Sequence, residues 1–231
     1  MMLMKKIIST LIISVVAVIF LASCETTKLT RGEQYTKLYD EKPTTILVMP
    51  PINNTTEVEA KDLLYTSINY PLVEAGYYVI SPHLAMEMLK SESAYDAELF
   101  IDGDMSMFGK VFGADAVVFS VIDKWKKVGF GIETDITYIV KSTKTNEVLF
   151  EHKCNLYLDL SVDNNSNTLL GSLVSLAASA VSTLATDHIV AARLCNRKIF
   201  SDLPYGKYNP NYQKDKSSPA NVKEFSAKVK R

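Results

Sequence analysis

Thr44-Thr45-Ile46-Leu47-Val48-Met49-Pro50-Pro51, residues 44–51, is the stretch on which the fold turns. Six β-favouring residues with no polar alternation suit a strand buried on both faces, and the two prolines bar its extension. Such strands belong to sheets covered by helices, and the residues that follow have helical spacing. Val58, Leu63, Leu64, Ile68, Leu72 and Val73 recur at threes, fours and fives, and Gly76 is a stop, so a helix is expected over 58–75. Pro71 lies inside it and predicts a bend or restart. Tyr77 to Ile80 reads as a second buried strand. Ser81-Pro82 then opens a second helix that runs to Lys90.

Ser91 to Gly103 is polar and acidic, a loop with some helix. Met105 to Phe112 reads as a short helix stopped by Gly113. Ala116 to Ile122 is a third buried strand. Two alternating strands follow, Ile132 to Lys141 and Glu147 to Leu160, joined through the turn-rich Thr143-Lys144-Thr145-Asn146. Strand–helix–strand–helix–strand followed by a meander predicts an α/β fold, a mixed sheet of about five strands with helices packed on it.

The amino terminus bounds the setting. Lys5 and Lys6 precede an almost wholly apolar run from Ile7 to Leu21, and Leu21-Ala22-Ser23-Cys24 follows. A short cationic start, a short apolar run and small residues before the cut describe a secretory signal peptide. The ending has the form of a bacterial lipobox, in which the Cys24 thiol takes a diacylglycerol and its freed amine a further chain; two or more chains hold stably. The alternatives are a plain secreted protein or an uncleaved anchor. Glu25 is compatible with sorting to an outer membrane facing the periplasm. The expected organisation is a signal peptide over 1–23, a lipidated tether over 24–43, an α/β domain over 44–200 and an extended carboxy-terminal segment over 201–231.

Removing the leader takes Lys5 and Lys6 from 25 basic residues and leaves the 26 acidic ones, so the mature chain has no basic excess and nucleic acid is disfavoured as a partner. Cys154 and Cys195 remain, either as a disulfide of an oxidising compartment or as two separately buried thiols. No CxxC, HExxH, GxSxG or phosphate-cradling glycine motif is present. His83, His152 and His188 read as a helix-start, a strand-face and a helix residue. Asp102-Gly103-Asp104 reads as a solvated turn, and Gly109, Gly113 and Gly129-Phe130-Gly131 match neither a GxGxxG nor a P-loop in context. Lys124-Trp125-Lys126-Lys127 is either an anionic-lipid or nucleic-acid contact or, as favoured here, a hairpin edge with alternating lysines. No catalytic, metal or cofactor residues are expected, and Cys24 is the one expected modification site.

Thr168 to Ala192 reads as a long helix of Leu, Val, Ala, Ser and Thr. Gly171, Ser175, Ser179 and Thr183 form a small-residue stripe that suits sheet packing or contact between copies of the chain better than insertion into a membrane. Tyr-, Asn- and Pro-rich sequence over 203–219 and a charged end over 222–231 suggest an extended surface segment with a frayed terminus.

Four blocks carry a resemblance: Leu47 to Asn53, Pro71 to Val79, Phe112 to Val118 and Lys144 to Phe150. They resemble a family of bacterial lipoproteins of unknown function that includes a neisserial vaccine-candidate lipoprotein, over a span from about Thr44 to past Leu194. The resemblance implies a fold like the amino-terminal domain of TolB, also related to the curli secretion lipoprotein CsgG. Members tend to be encoded beside a CsgG-like lipoprotein, which implies other envelope lipoproteins as partners and a non-enzymatic accessory role in secretion or surface assembly. Two long amphipathic barrel hairpins are missing, so a CsgG-type pore is not expected. The alternative is a periplasmic ligand-binding protein or hydrolase whose site is assembled from scattered residues.

Overall fold

The computed structural model describes residues 28–160 and 184–230. The signal peptide, Cys24, most of the 168–192 helix and its stripe of Gly171, Ser175, Ser179 and Thr183 lie outside the described residues. Seven strands form one mixed sheet: β1 (Thr45–Val48), β2 (Ile52–Asn53), β3 (Tyr78–Val79), β4 (Ala116–Val128), β5 (Gly131–Ser142), β6 (Val148–Asp159) and β7 (Glu224–Lys230). The order is β3-β1-β4-β5-β6-β7, with β2 also pairing β4. Six described helices accompany them: α1 (Arg31–Gln34), α2 (Thr36–Glu41), α3 (Glu59–Glu74), α4 (Pro82–Ser91), α5 (Ser106–Phe112) and α6 (Leu184–Phe200).

β1 has parallel neighbours on both sides, β3 and β4, which is why its run is continuously apolar. Ile46 and Val48 face one core; Leu47 and Met49 face the other. The chain leaves β1 for β3 on one side and returns to β4 on the other. Right-handed crossovers therefore put α3 on one face and α4 with α5 on the opposite face. The first core gathers Leu64, Ile68 and Leu72 of α3, Ala191, Cys195 and Ile199 of α6, and the inward side chains of β4–β6. The second is smaller and holds Phe108, Leu89, Val117 and Phe119. Asp115, in the middle of the Phe112–Val118 block, accepts the amides of Thr44 and Thr45 at 3.0 and 3.1 Å and so sets the start of β1 beside β4.

Several expectations are corrected. Seven strands replace about five, because β2 and β7 were not anticipated. Pro50-Pro51 interrupts the ladder without ending it: Val48 pairs Val118, and pairing resumes with Ile52 opposite Val121. β3 is an edge strand with Tyr78 exposed, not a buried one. α3 runs through Pro71 with no break. β4 continues to Val128, so Lys124-Trp125-Lys126-Lys127 lies within a strand, and Gly129-Phe130 turns directly into β5.

Both ends of the described chain are folded onto the domain. The expected tether is helical from Arg31, with Tyr35, Leu38 and Tyr39 in the main core. The expected extended carboxy-terminal segment buries Asp202, Leu203, Asp215 and Ala220, then adds β7 parallel to β6. Its attachment uses two glycines. Gly76 adopts φ +93°, and a Cβ there would lie 2.4 Å from Asn209 N, while Gly206 N donates to Ala75 O at 2.8 Å.

Candidate functional site

Among the described residues, a histidine meets a carboxylate in a buried cluster between the two ends of the described chain. α1 starts with a capping box: Thr30 Oγ1 accepts from Glu33 N, and Glu33 accepts from Thr30 N at 2.8 Å. That cap fixes Arg31 pointing inward. Its Nη1 donates to Asp215 Oδ2 at 3.1 Å, its Nη2 to Ser201 O at 2.7 Å, and its Nε faces Asp202 Oδ1 at 3.5 Å. One turn later Tyr35 donates its hydroxyl to Asp202, accepts from Gln34 Nε2 at 2.7 Å, and lies 2.5 Å from His152 Nε2 on β6. Asn221 N also donates to Asp202 at 3.0 Å, and Tyr205 N to Asp215 at 3.1 Å. Tyr39 turns its hydroxyl toward Asp215 without closing hydrogen-bond geometry.

The electrostatics follow from depth. Side-chain exposure is 2% for His152 and 1% for Asp202. Burial lowers the His152 pKa from 6.5 to about 4 against the opposing pull of the Asp202 carboxylate, so the ring is neutral at physiological pH. Phe150 stacks on it at 4.4 Å. Burial first, then the Asp202 carboxylate, pushes the Tyr35 phenol well above its usual value. Together these groups form a sealed fastening: Arg31 from the start of the chain, His152 from the sheet, and Asp202 and Asp215 from the carboxy-terminal segment.

The other candidates separate. His83 stands exposed in the first turn of α4. His188 of α6 accepts from Trp125 Nε1 at 2.7 Å, its ring stacked on the indole at 6.2 Å. Trp125 is thus buried in the core while Lys126 and Lys127 are exposed. Asp104, just before α5, accepts from Ser106 N at 2.9 Å, and Asp102 is exposed. Among the described residues no three ligating side chains converge as a metal site would require. Cys154 and Cys195 are buried free thiols in contact with each other across β6 and α6, with Thr134 Oγ1 3.3 Å from Cys195 Sγ. No helix among the described residues is long and apolar enough to cross a membrane. An open groove of about 550 Å³ lies on the polar sheet face, lined by Lys124, Glu133, Asp135, Asn155, Tyr157 and Lys228 among others.

Sequence reasoning missed Arg31, Tyr35, Asp202 and Asp215. The only available signal was the Tyr35, Leu38, Tyr39 spacing, which marks a helical turn with one apolar side.

A family model for GNA1162-like lipoproteins matches residues 33–203. A lipoprotein of Neisseria meningitidis serogroup B, NMB1124/NMB1162, is 29% identical over 182 residues, covering 77% of this chain and 83% of that protein. Among solved structures, lipoprotein GNA1162 from N. meningitidis aligns at 26% identity and TM-score 0.47, over 58% of this chain and 95% of its own. The LpoB C-terminal domain from Escherichia coli aligns at 14% identity and TM-score 0.38, over 54% and 93%.

Proposed function

Since the chain belongs to the GNA1162-like lipoprotein family, we propose that it is a lipid-anchored envelope protein that works by binding other envelope proteins, without catalysis. The lipid sits on Cys24 after removal of residues 1–23, and the domain faces the periplasm from the outer membrane. Its role is that of an accessory or assembly partner in a CsgG-like secretion or surface-structure system. The observation that carries this reading is the use to which the His152–Tyr35–Asp202 convergence is put. A hydrolase would need such a set open to substrate; here it is buried and fastens the chain's ends.

Fatty-acid labelling of cells expressing the full chain tests the anchor: label is expected on the wild type and absent from Cys24→Ala. Undiminished label on the variant overturns it. Affinity purification of the lipidated protein from its native membrane tests the binding role. Co-purification of a CsgG-like lipoprotein supports it, and recovery of the protein alone refutes it.

One observation favours a second reading, a ligand-binding protein. The open groove over β4–β7 presents Tyr157, Asn155 and charged side chains to solvent. Those charges are largely engaged with one another, Lys124 with Glu133 at 3.0 Å and Lys153 with Asp135 at 3.1 Å, so a ligand would have to displace ion pairs.

A further inference from the structure

The lipid and the folded domain are separated by very little chain. The carbonyl of Leu29 accepts from Ala220 N at 2.8 Å, Thr30 bridges Pro219, Arg31 N donates to Ser218 O at 2.8 Å and Gly32 N to Lys216 O at 2.9 Å. From Leu29 onward the chain is therefore bound to the domain, and the Arg31 ion pairs lock it there. Four residues, 25–28, separate Leu29 from Cys24. Fully extended, the five steps from Cys24 to Leu29 span at most about 18 Å. A bilayer's polar layer is on the order of 5–8 Å deep on each side of its hydrocarbon core. Leu29 is therefore held within about 10–13 Å of the outer edge of that layer.

The surface around that point is suited to a headgroup layer. Leu29 and Val222 are 55% and 69% exposed, two apolar side chains at the place where the chain enters the fold. Lys28 and Lys223 are their exposed chain neighbours, and exposed Lys216, its ammonium 5.1 Å from the Tyr39 ring, stands opposite Gly32 further along the same contact. Of the exposed carboxylates near this rim, Glu33 caps Thr30 and Glu224 accepts from Asn155 Nδ2 at 2.8 Å, while Glu151 is exposed on the neighbouring strand. Lysines that snorkel around a small apolar patch are the chemistry that seats a protein at an anionic interface.

We propose that the rim of Leu29, Val222, Lys28, Lys216 and Lys223 lies against the headgroup layer of the membrane that holds the lipid. This rests on lipidation at Cys24. It also orients the molecule. Lys223 O accepts from Lys153 N, whereas the β4–β5 turn lies six residues further along β6, where Gly131 pairs with Asp159. That is about 20 Å away along the strand. The Phe130 turn therefore points away from the rim and into the periplasmic space.

The test uses the full lipidated chain in vesicles of phosphatidylethanolamine and phosphatidylglycerol that carry a spin-labelled lipid as quencher. Tryptophan is introduced separately as Leu29→Trp, Val222→Trp and Phe130→Trp, and the emission of buried Trp125 is subtracted as background. The first two should lose most of their added emission, and Phe130→Trp should keep it. Equal quenching at all three sites, quenching only at Phe130→Trp, or quenching at none in protein that floats with the vesicles overturns the proposal. Protein that neither floats nor carries fatty acid shows instead that the anchor reading has failed, and the proposal falls with it.

Discussion

His152 should make the fold acid-sensitive in a defined window. In the unfolded chain an imidazole titrates near 6.5; in the fold burial holds it down to about 4. Above pH 6.5 the ring is neutral in both states and its contribution to stability is complete. Below 6.5 the unfolded chain takes up a proton that the folded chain refuses, so stability falls as the pH drops toward 4, where the loss levels off. The separation of about 2.5 units corresponds to roughly 3 kcal/mol at the acid limit and about 2 kcal/mol at pH 5. Against a typical domain stability of about 5–15 kcal/mol that is a large fraction. Urea unfolding of the soluble chain from residue 25 onward, at about pH 7.5, 6.5, 5.5 and 5, measures it. Carboxylates also titrate at the lower end of this window, so the quantity that decides is the difference from His152→Gln. Its stability should change less between pH 6.5 and 5.5, even if it starts lower. Equal slopes for the two proteins, or a folded-state ring titration near 6.5 by NMR, would refute the burial argument.

Arg31→Ala should cost about 3–5 kcal/mol, because it leaves the buried carboxylates of Asp202 and Asp215 uncompensated; urea unfolding reads it, and a change below about 1 kcal/mol would mean the clasp is dispensable. Phe119→Ala, a fully buried ring in the smaller core, should cost about 3–5 kcal/mol by the same assay. Gly76→Ala places a Cβ against the Asn209 backbone at a positive φ, so it should cost at least about 1–2 kcal/mol. That substitution should also speed proteolysis within 201–220 ahead of the rest of the chain, and uniform protection would contradict the close approach.

The parts of the fold that could be read in advance are those where one physical signal dominates. β1 after Thr45 and the first half of β4 apart from Ser120 are apolar, so burial on both faces was legible from Ile46–Met49 and Ala116–Ile122 alone. The second half of β4 was not, because Lys124, Lys126 and Lys127 make it look like a loop; the period-two placement of Trp125 against its neighbours is the real signal, and charge density hides it. β7 has the same character. Phe225, Ala227 and Val229 pack inward while Glu224, Ser226 and Lys228 face out, an alternation that a charged terminus disguises. The clasp could not be read at all. Arg31 and Tyr35 are one helical turn apart, but no spacing links them to His152, Asp202 or Asp215, and the antiparallel contact of residues 29–32 with 216–220 is part of what brings these together.

That contact also gives the buried ion pairs a mechanical meaning. An isolated buried pair adds little net stability, because desolvation offsets its attraction. A well-packed apolar cluster would hold two segments together at least as strongly. What directed bonds add is a fixed geometry: Arg31 meets Asp202, Asp215 and the Ser201 carbonyl in one arrangement only, and Tyr35 must reach Asp202 and His152 at once. A slip of the first residues along 216–220 would break all of these together. With the lipid on Cys24 as proposed above, any pull between lipid and domain would be delivered to Leu29 and Arg31. The carboxy-terminal segment receives that load through three backbone hydrogen bonds and the arginine fork, and passes it to the sheet through the parallel pairing of β7 with β6. Carrying the carboxy terminus back to the amino terminus thus converts a loose point of attachment into part of the domain.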